Sequence, residues 1–350
     1  MELYQIAIDL LKQLISISSL SKEEMNTADL LEKFFQERDI KTNRLGNNVW
    51  VKNLNFDVQK PTILLNSHHD TVKPNAGYTR NPLSPDVEEG KLYGLGSNDA
   101  GASLVGLIAT FIHFNEHTDL KYNLILAATA EEEISGKGGI ESLISDFGAI
   151  DFAIVGEPTL MDLAVAEKGL MVLDCAAKGI SGHAARNEGE NAIYKALKDI
   201  DWFRTFQFPN VSSALGEVKM TVTVINGGKQ HNVVPDECHF VVDVRSTDAY
   251  TNPDILAIIK SNVASEVVAR STRLNPSSIP LDHPIVKSGL ALGRKTYGSP
   301  TMSDQALIPY PSVKIGIGDS ARSHTADEFV YTDEIKAGIE LYIQLLGTIL

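Results

Sequence analysis

The sequence predicts an α/β protein in which a mostly parallel sheet carries a smaller inserted domain. From the start to about residue 166, helical patterns alternate with short continuous apolar runs, as in βα units whose strands are buried on both faces. Between about Lys168 and Asn275 the strand-like segments instead alternate apolar and polar residues. Helix and strand signals resume after Ile279, so the chain is expected to return to the first domain.

The inserted segment follows the order βαββαβ, which is that of the split ferredoxin-like unit. Its predicted elements are a strand at 170–178, a helix at 190–206, strands at 218–225 and 237–244, a helix at 254–262 and a strand at 267–272. We therefore place an inserted dimerisation or lid domain at 167–277 and a catalytic domain at 1–166 and 278–350. A length of 350 residues suits two domains.

Helices of the main domain are indicated at three places. Residues 1–12 carry an apolar helical stripe with acids near the start, unlike a secretory signal with its basic start. Ser21, followed three residues later by Glu24, predicts a capping box ahead of a helix. Another helix is expected from Ala102 to about His117, so that its positive N-terminal end lies near Asp99.

Composition limits the class of partner. The net charge of -14 argues against nucleic acid or an anionic membrane surface. The most apolar stretch, around residues 103–114, is too short to span a bilayer. Cys175 and Cys238 lie in apolar strand-like runs and are interpreted as buried thiols rather than a disulfide. These features predict a cytoplasmic protein.

Ionisable side chains follow the apolar runs of the predicted sheet. They are His68 and Asp70 after 63–65, Glu132 and Glu133 after 124–126, Glu157 after 153–155, and His324 after 313–315, with Asp99 in a glycine-rich stretch. Because the carboxyl ends of strands meet at one edge of an open α/β sheet, we expect these side chains to converge. They are enough ligands for two divalent metal ions.

Two of these motifs suggest a division of roles. In His68-His69-Asp70, the aspartate can accept the second ring N–H of His68, whereas His69 points to the opposite face. Three successive acids at 131–133 repel one another unless they are solvated or bind a cation. One can bind metal while its neighbour acts as general base, although an exposed turn is the plain alternative.

Other kinds of catalytic site are disfavoured by spacing. The glycines at 94–101 and 136–139 do not have the spacing of dinucleotide or phosphate loops. A serine or cysteine nucleophile would need an elbow motif or partners at recognisable spacing, which the sequence does not offer. A metal-dependent site therefore remains the first hypothesis.

The ordered motifs resemble the co-catalytic zinc peptidase family of acetylornithine deacetylases, succinyl-diaminopimelate desuccinylases, aminoacylases and carboxypeptidases. The resemblance covers almost the whole chain and implies an aminopeptidase-like catalytic domain. The motifs are His68-x-Asp70, Gly94-x-Gly96-x-x-Asp99, Thr129-x-Glu131-Glu132-Glu133, Gly156-Glu157-Pro158-Thr159, Ser181-Gly182-His183-Ala184, Asn232-x-x-Pro235, Asp243-x-Arg245 and His324-Thr325-x-x-Glu328.

The resemblance implies a role for each member of the metal site. One Zn²⁺ ion would be held by His68 and Glu157 and a second by Glu133 and His324, with Asp99 bridging both; Co²⁺ could substitute for zinc. Asp70 would orient His68. Glu132 would act as general base and then as proton donor to the leaving amine.

The resemblance also implies a homodimer that acts on a small molecule. His183 would reach the active site of the partner subunit and stabilise the oxyanion there. Arg245 would clamp the substrate carboxylate, and Asn232 belongs to the accompanying motif. Lys168 is a further candidate for a substrate contact, with surface charge as its alternative.

Departures from the common pattern refine the substrate. Leu95 stands where an arginine is usual, and Ala100-Gly101 stands where Met-Lys often follows. The chain therefore looks most like the subgroup that acts on N-acetyl- or N-succinyl-ornithine or N-acetylcitrulline in arginine biosynthesis. A succinyl-diaminopimelate desuccinylase, a dipeptidase or carboxypeptidase, and a non-catalytic carboxylate-binding relative remain as alternatives.

Overall fold

The computed structural model describes residues 3–350 of the chain. These residues form two compact units. The first contains the chain up to Val165 together with 278–297 and 303–350, and the second contains 166–277 and 298–302. Within the described residues, no helix combines the length and the apolar character that crossing a membrane requires.

The elements have the following bounds. The helices are α1 (Leu3–Ile15), α2 (Met25–Gln36), α3 (Ala102–Phe114), α4 (Ile144–Phe147), α5 (Ala192–Thr205), α6 (Asn252–Asn262), α7 (Pro284–Ala291) and α8 (Thr332–Gly347). The strands are β1 (Thr42–Leu45), β2 (Asn48–Lys52), β3 (Thr62–His68), β4 (Val87–Glu88), β5 (Lys91–Tyr93), β6 (Asn123–Thr129), β7 (Phe152–Val155), β8 (Leu163–Glu167), β9 (Gly169–Lys178), β10 (Gly182–His183), β11 (Lys219–Gly227), β12 (Val233–Val234), β13 (Glu237–Ser246), β14 (Glu266–Ala269), β15 (Ser277–Ser278), β16 (Thr296–Ser299), β17 (Ser312–Lys314) and β18 (Phe329–Tyr331).

The main sheet has four parallel strands at its centre. Its order includes β1-β2-β6-β3-β7-β17-β8, in which β6, β3, β7 and β17 run parallel and the flanking pairs are antiparallel. All seven residues of β3 are buried, with Ile63 and Leu65 in one core and Leu64 in another. Burial on both faces accounts for the continuous apolar runs. The predicted mostly parallel α/β sheet is confirmed.

The helices of the first unit correct one prediction from the sequence. The predicted stripe at 1–12 is helical from Leu3, while its first two residues lie outside the described range, and α3 begins at Ala102 as expected. The capping box is wrong, because α2 has no side-chain cap. Ser21 Oγ instead donates to Asp70 at 2.7 Å, and Glu24 accepts the Glu131 amide at 3.2 Å.

The second unit has the ferredoxin-like arrangement that was predicted. Its antiparallel sheet has the order β11-β13-β9-β14, and side chains of α5 and α6 share one core with β9 and β13. Residues along β9 alternate between buried and less buried positions, as expected for a sheet covered on one face. Cys175 and Cys238 are both buried free thiols, as predicted.

Candidate metal centre and active site

The carboxyl ends of the four parallel strands meet at one edge of the main sheet. His68 ends β3 beside Thr129, the last residue of β6, and Val155 ends β7 beside Lys314, the last residue of β17. The loops that leave this edge carry the remaining ionisable residues. The topology therefore brings the predicted strand-end residues together in one unit.

His68 lies at the centre of a buried group of carboxylates. Its Nε2 atom is 3.4 Å from Asp99 Oδ1, 3.7 Å from Glu157 Oε1 and 3.9 Å from Glu132 Oε2. This nitrogen is buried and has no hydrogen-bond partner among the described residues. A buried polar atom normally finds a partner, and one facing three carboxylates at these distances suits a bound cation.

Asp99 presents its two oxygens to two different histidines. Oδ1 faces His68, and Oδ2 is 3.7 Å from His324 Nε2. His324 Nε2 is also 3.0 Å from Glu133 Oε2. The carboxylate of Asp99 thus stands between a His68–Glu157 pair and a His324–Glu133 pair. Such an arrangement fits two metal ions that share one bridging carboxylate.

Asp70 organises the neighbouring residues rather than joining the candidate ligands. The Nδ1 atom of His68 lies 3.0 Å from the Asp70 carbonyl oxygen and 3.3 Å from Asp70 Oδ1. The same carboxylate accepts the backbone N–H groups of Glu132 at 3.0 Å and of Glu133 at 3.2 Å. Asp70 therefore fixes the ring of His68 and the turn that carries both glutamates.

Burial and mutual repulsion govern the ionisation of this cluster. Burial raises the pKa of Glu132 and of Glu157 well above the usual glutamate range, and neighbouring carboxylates add to it against the opposing effect of His68. For His68, burial lowers the pKa, but the close carboxylates of Asp70 and Asp99 and the nearby glutamates raise it well above normal. Such excess negative charge is what a divalent cation would stabilise.

The structure separates the three successive glutamates. Glu131 turns away from the cluster into a glycine loop, where its Oε2 accepts the Gly138 amide at 3.2 Å. A Cβ atom at Gly136 would lie 2.0 Å from that carboxylate, so the loop can pack this closely against Glu131 only with glycine at position 136. The glycines at 136–139 therefore enclose a side chain of this protein, while Glu132 and Glu133 face His68 and His324.

Glu328 supports the segment that carries Asp99. Its buried carboxylate accepts the backbone N–H groups of Gly96 at 3.0 Å, Asn98 at 2.8 Å and Asp99 at 2.9 Å. Burial raises the pKa of Glu328 to about 7 against these three donors. The sequence motif contained Glu328 but gave no sign of this role, because its partners lie more than 200 residues away.

Asp304 is a site residue that the sequence analysis missed. It is 3% exposed and accepts Asn66 Nδ2 and Thr129 Oγ1, each at 2.8 Å. It therefore links the carboxyl ends of β3 and β6 just behind His68. Burial raises the pKa of Asp304 to about 6. In the sequence, Ser303-Asp304 in a polar stretch is typical of a helix N-terminus, and Ser303 does cap a short 3-10 turn. The local sequence therefore gave no sign that Asp304 belongs to the site.

The histidine and asparagine predicted to contact substrate lie together in the second unit. His183 pairs with Val233 between β10 and β12, and the Asn232 carbonyl accepts the Ala184 amide at 3.0 Å. His183 is exposed, and its Nδ1 accepts the Ala185 amide at 3.1 Å. The second ring nitrogen then carries the proton and can donate a hydrogen bond.

Arg245 and Lys168 lie at the other end of β9. Arg245 is paired with Leu170 across the sheet, two residues from Lys168. The guanidinium of Arg245 forms a fork with Asp243, at 2.9 and 3.2 Å. Both side chains are partly exposed, 38% and 30%, so this ion pair contributes only about 0–1 kcal/mol to the free energy of unfolding. Another carboxylate could therefore readily replace Asp243. The spacing along β9 places Arg245 roughly 25–30 Å from the His183 end.

The chain is similar to a known protein family and to several characterised or named hydrolases. Residues 64–348 match peptidase family M20/M25/M40. A [LysW]-lysine/[LysW]-ornithine hydrolase of Sulfurisphaera tokodaii is 29% identical, over 97% of this chain and 94% of the relative. A probable succinyl-diaminopimelate desuccinylase of Staphylococcus aureus is 29% identical over 80% and 76%. An acetylornithine deacetylase of Proteus mirabilis is 27% identical over 97% and 95%.

Solved structures share the fold at lower identity. Aminopeptidase PepT from Bacillus cereus has a TM-score of 0.77 at 18% identity, covering 99% of this chain and 98% of its own. The YXEP protein of Bacillus subtilis, described as a dinuclear metal-binding peptidase, has a TM-score of 0.71 at 15% identity with the same coverage. Both likenesses concern the fold of the chain.

Proposed function

The chain belongs to peptidase family M20/M25/M40, and we propose that it hydrolyses the amide bond of an N-acyl amino acid with two zinc ions. The observation that carries this proposal is the pair of contacts made by Asp99, which faces His68 with one oxygen and His324 with the other. In the proposal, His68 and Glu157 would hold one ion and Glu133 and His324 the second, and Asp99 would be shared between them. Co²⁺ is expected to substitute for zinc.

Glu132 is the proposed general base. When bound, the metal ions supply Lewis-acid polarisation of the acyl carbonyl and lower the pKa of the attacking water towards about 7. Glu132 takes a proton from that water and passes it to the departing nitrogen. Its position fits, since its carboxylate lies 3.9 Å from His68 Nε2 while its amide is held by Asp70.

The names of the relatives support a particular class of amino acid. They mention lysine, ornithine and diaminopimelate, all of which carry a second amino group. We therefore propose an N-acylated diamino acid, N-acetyl- or N-succinyl-ornithine, in arginine biosynthesis; N-acetylcitrulline, whose side chain ends in a ureido group, is the next candidate. Arg245 would bind the substrate α-carboxylate by exchanging it for Asp243, because a guanidinium fork matches a carboxylate. Lys168, at the same end of the sheet, is the proposed second contact.

We also propose a homodimer in which His183 and Asn232 serve the partner's site. Their separation from Arg245 along β9 is too great for one small substrate to contact both groups of a single chain. The free donor nitrogen of His183 suits an oxyanion. β11 is an edge strand with exposed Val224 and Ile225, and such an edge offers a surface for a second copy.

The alternatives share the metal site and differ in the substrate. A succinyl-diaminopimelate desuccinylase would prefer a substrate whose amino-acid part is longer and carries two carboxylates. A dipeptidase or carboxypeptidase would accept an aminoacyl group in place of the simple acyl group. A non-catalytic carboxylate-binding relative would have no use for Glu132. A cytoplasmic location is part of the proposal and is supported by the two free thiols.

A hydrolysis panel tests the proposal. Zinc-loaded protein is offered N-acetyl- and N-succinyl-ornithine, N-acetylcitrulline, succinyl-diaminopimelate and dipeptides, with Glu132→Gln as the matched inactive control. The highest kcat/KM is expected for an acylated ornithine. A preference for succinyl-diaminopimelate or for dipeptides would select that alternative, and turnover of none of them would reject the proposed substrate class.

A further inference from the structure

A cavity lies in the first unit beside Leu160 and Met161, in the loop that follows Glu157. It has a volume of about 330 Å³, at the lower end of the range for small-molecule sites. Apolar side chains of Leu160, Met161, Ile317 and Leu341 form much of its lining. None of the candidate metal ligands lines it. The cavity is therefore separate from the metal centre.

One guanidinium nitrogen of the cavity lining has no partner among the described residues. The Nε atom of Arg294 is buried and has no hydrogen-bond acceptor within residues 3–350. Two carboxylates also line the cavity. That of Glu334 is committed to Arg322, with contacts of 2.9 and 2.7 Å, and to the Tyr331 amide, and that of Glu340 belongs to an exposed residue of α8. An orphaned N–H of a guanidinium is costly when buried, and an anion that accepted it would remove that cost.

The backbone around Arg294 is held by several hydrogen bonds. The Arg294 amide donates to Gly289 O at 2.9 Å. The amide of the next residue, Lys295, donates to Asp162 Oδ1 at 2.9 Å, and its carbonyl accepts the Leu163 amide at 2.8 Å. These bonds tie the arginine to the segment that contains Leu160 and Met161. Arg294 and the apolar wall therefore belong to hydrogen-bonded segments that line the same cavity.

We propose that this cavity binds a small aliphatic carboxylate, with its carboxylate held by Arg294 and its aliphatic body against Leu160, Met161, Ile317 and Leu341. A carboxylate can accept Nε–H and an Nη–H of the guanidinium together, which satisfies the orphaned donor. The apolar wall excludes inorganic anions as the preferred ligand, since they would leave it in contact with water.

The wall of the cavity is joined through the backbone to the turn that carries Glu157. Leu160 and Met161 follow Glu157 by three and four residues and have left-handed φ angles of 55° and 61°. Their amides donate to Gly318 O at 2.7 Å and Gly316 O at 2.9 Å. The wall against which the ligand would pack is thus continuous with the turn that carries Glu157.

Calorimetric titration of the zinc-loaded, full-length protein tests the proposal with hexanoate as the probe and hexanamide as its neutral match. Saturable binding of hexanoate is expected, and Arg294→Met, which keeps the stem but removes the guanidinium, should weaken it by about 10- to 100-fold. Ala337→Trp, which fills the cavity from α8 without altering Arg294, should also abolish binding. L-norleucine in place of hexanoate shows whether the preferred carboxylate is a free amino acid or a simple acid.

Three results would overturn the proposal. Hexanoate and hexanamide could bind equally, binding could survive in both variants, or no saturable binding could be seen. Thermal unfolding gives an independent reading in the absence of any ligand. If the guanidinium is unpartnered, Arg294→Met should unfold at the same or a higher temperature than the unchanged protein. A clear fall would mean that Arg294 has a structural partner, and the proposal would be wrong.

Discussion

Replacing Asp70 with asparagine should weaken zinc binding while leaving every candidate ligand in place. Asp70 Oδ1 serves the Glu132 amide and His68 Nδ1, and Oδ2 serves Ser21 Oγ and the Glu133 amide. Burial raises the pKa of Asp70, but the bonds from His68, Ser21 and the Glu132 amide outweigh it and lower the pKa. The side chain is therefore an anion at neutral pH, and the change removes that charge.

The size of the effect follows from these contacts. An amide NH₂ cannot accept a hydrogen bond, so whichever oxygen is replaced, one backbone N–H loses its acceptor. Leaving a buried donor unsatisfied costs about 1–3 kcal/mol of the free energy of unfolding. Loss of the carboxylate behind a histidine ligand typically lowers metal affinity about 10- to 100-fold. We expect both effects for Asp70→Asn.

Zinc affinity is measured by competition with a chromophoric chelator, and stability by urea unfolding of the metal-free protein. Ser21→Ala is the matched control, because it removes one donor to Asp70 and leaves the bonds to His68, Glu132 and Glu133 intact. Its zinc affinity should remain close to that of the unchanged protein. Equal zinc affinity in Asp70→Asn, or an equal loss in both variants, would refute the orienting role of Asp70.

Further predictions concern catalysis, substrate binding and assembly. Glu132→Gln should retain zinc by metal analysis yet lose about 10²- to 10⁴-fold in kcat, and loss of zinc would make Glu132 a ligand. Arg245→Met should raise KM for substrates with a free α-carboxylate more than for their carboxamides; equal penalties would make the arginine structural. Inactive Glu132→Gln and His183→Ala chains, allowed to exchange, should recover about a quarter of the original activity, because half of randomly paired dimers are mixed and each has one intact site. No recovery, with exchange shown by tagged-subunit capture, would exclude action in trans.

The sequence was sufficient to predict the sheet and the residues at its edge. Buried parallel strands leave continuous apolar runs, and the residues just beyond them, such as His68 and Glu157, must lie at the carboxyl edge. The βαββαβ order was similarly visible because its strands alternate and its helices have a 3.6-residue period. These signals arise from residues that are close in sequence, so they can be recognised in one sequence alone.

The supporting contacts could not be predicted because their partners are distant in sequence. Ser21 and Glu24 have the spacing of a capping box, but Asp70 is 49 residues from Ser21 and Glu131 is 107 residues from Glu24. Asp304 reaches Asn66 across 238 positions. A polar side chain takes the partner that tertiary packing provides, and that partner need not leave any periodic mark.

Diffraction from crystals of the zinc-loaded protein at the zinc absorption edge tests the central claim most directly. The account predicts two anomalous peaks about 3.5–4 Å apart, one beside His68 and Glu157 and one beside Glu133 and His324. Asp99 should contact both ions, and Glu132 neither. A single peak, or direct coordination of zinc by Glu132, would contradict the assignment of the two ions and of the base.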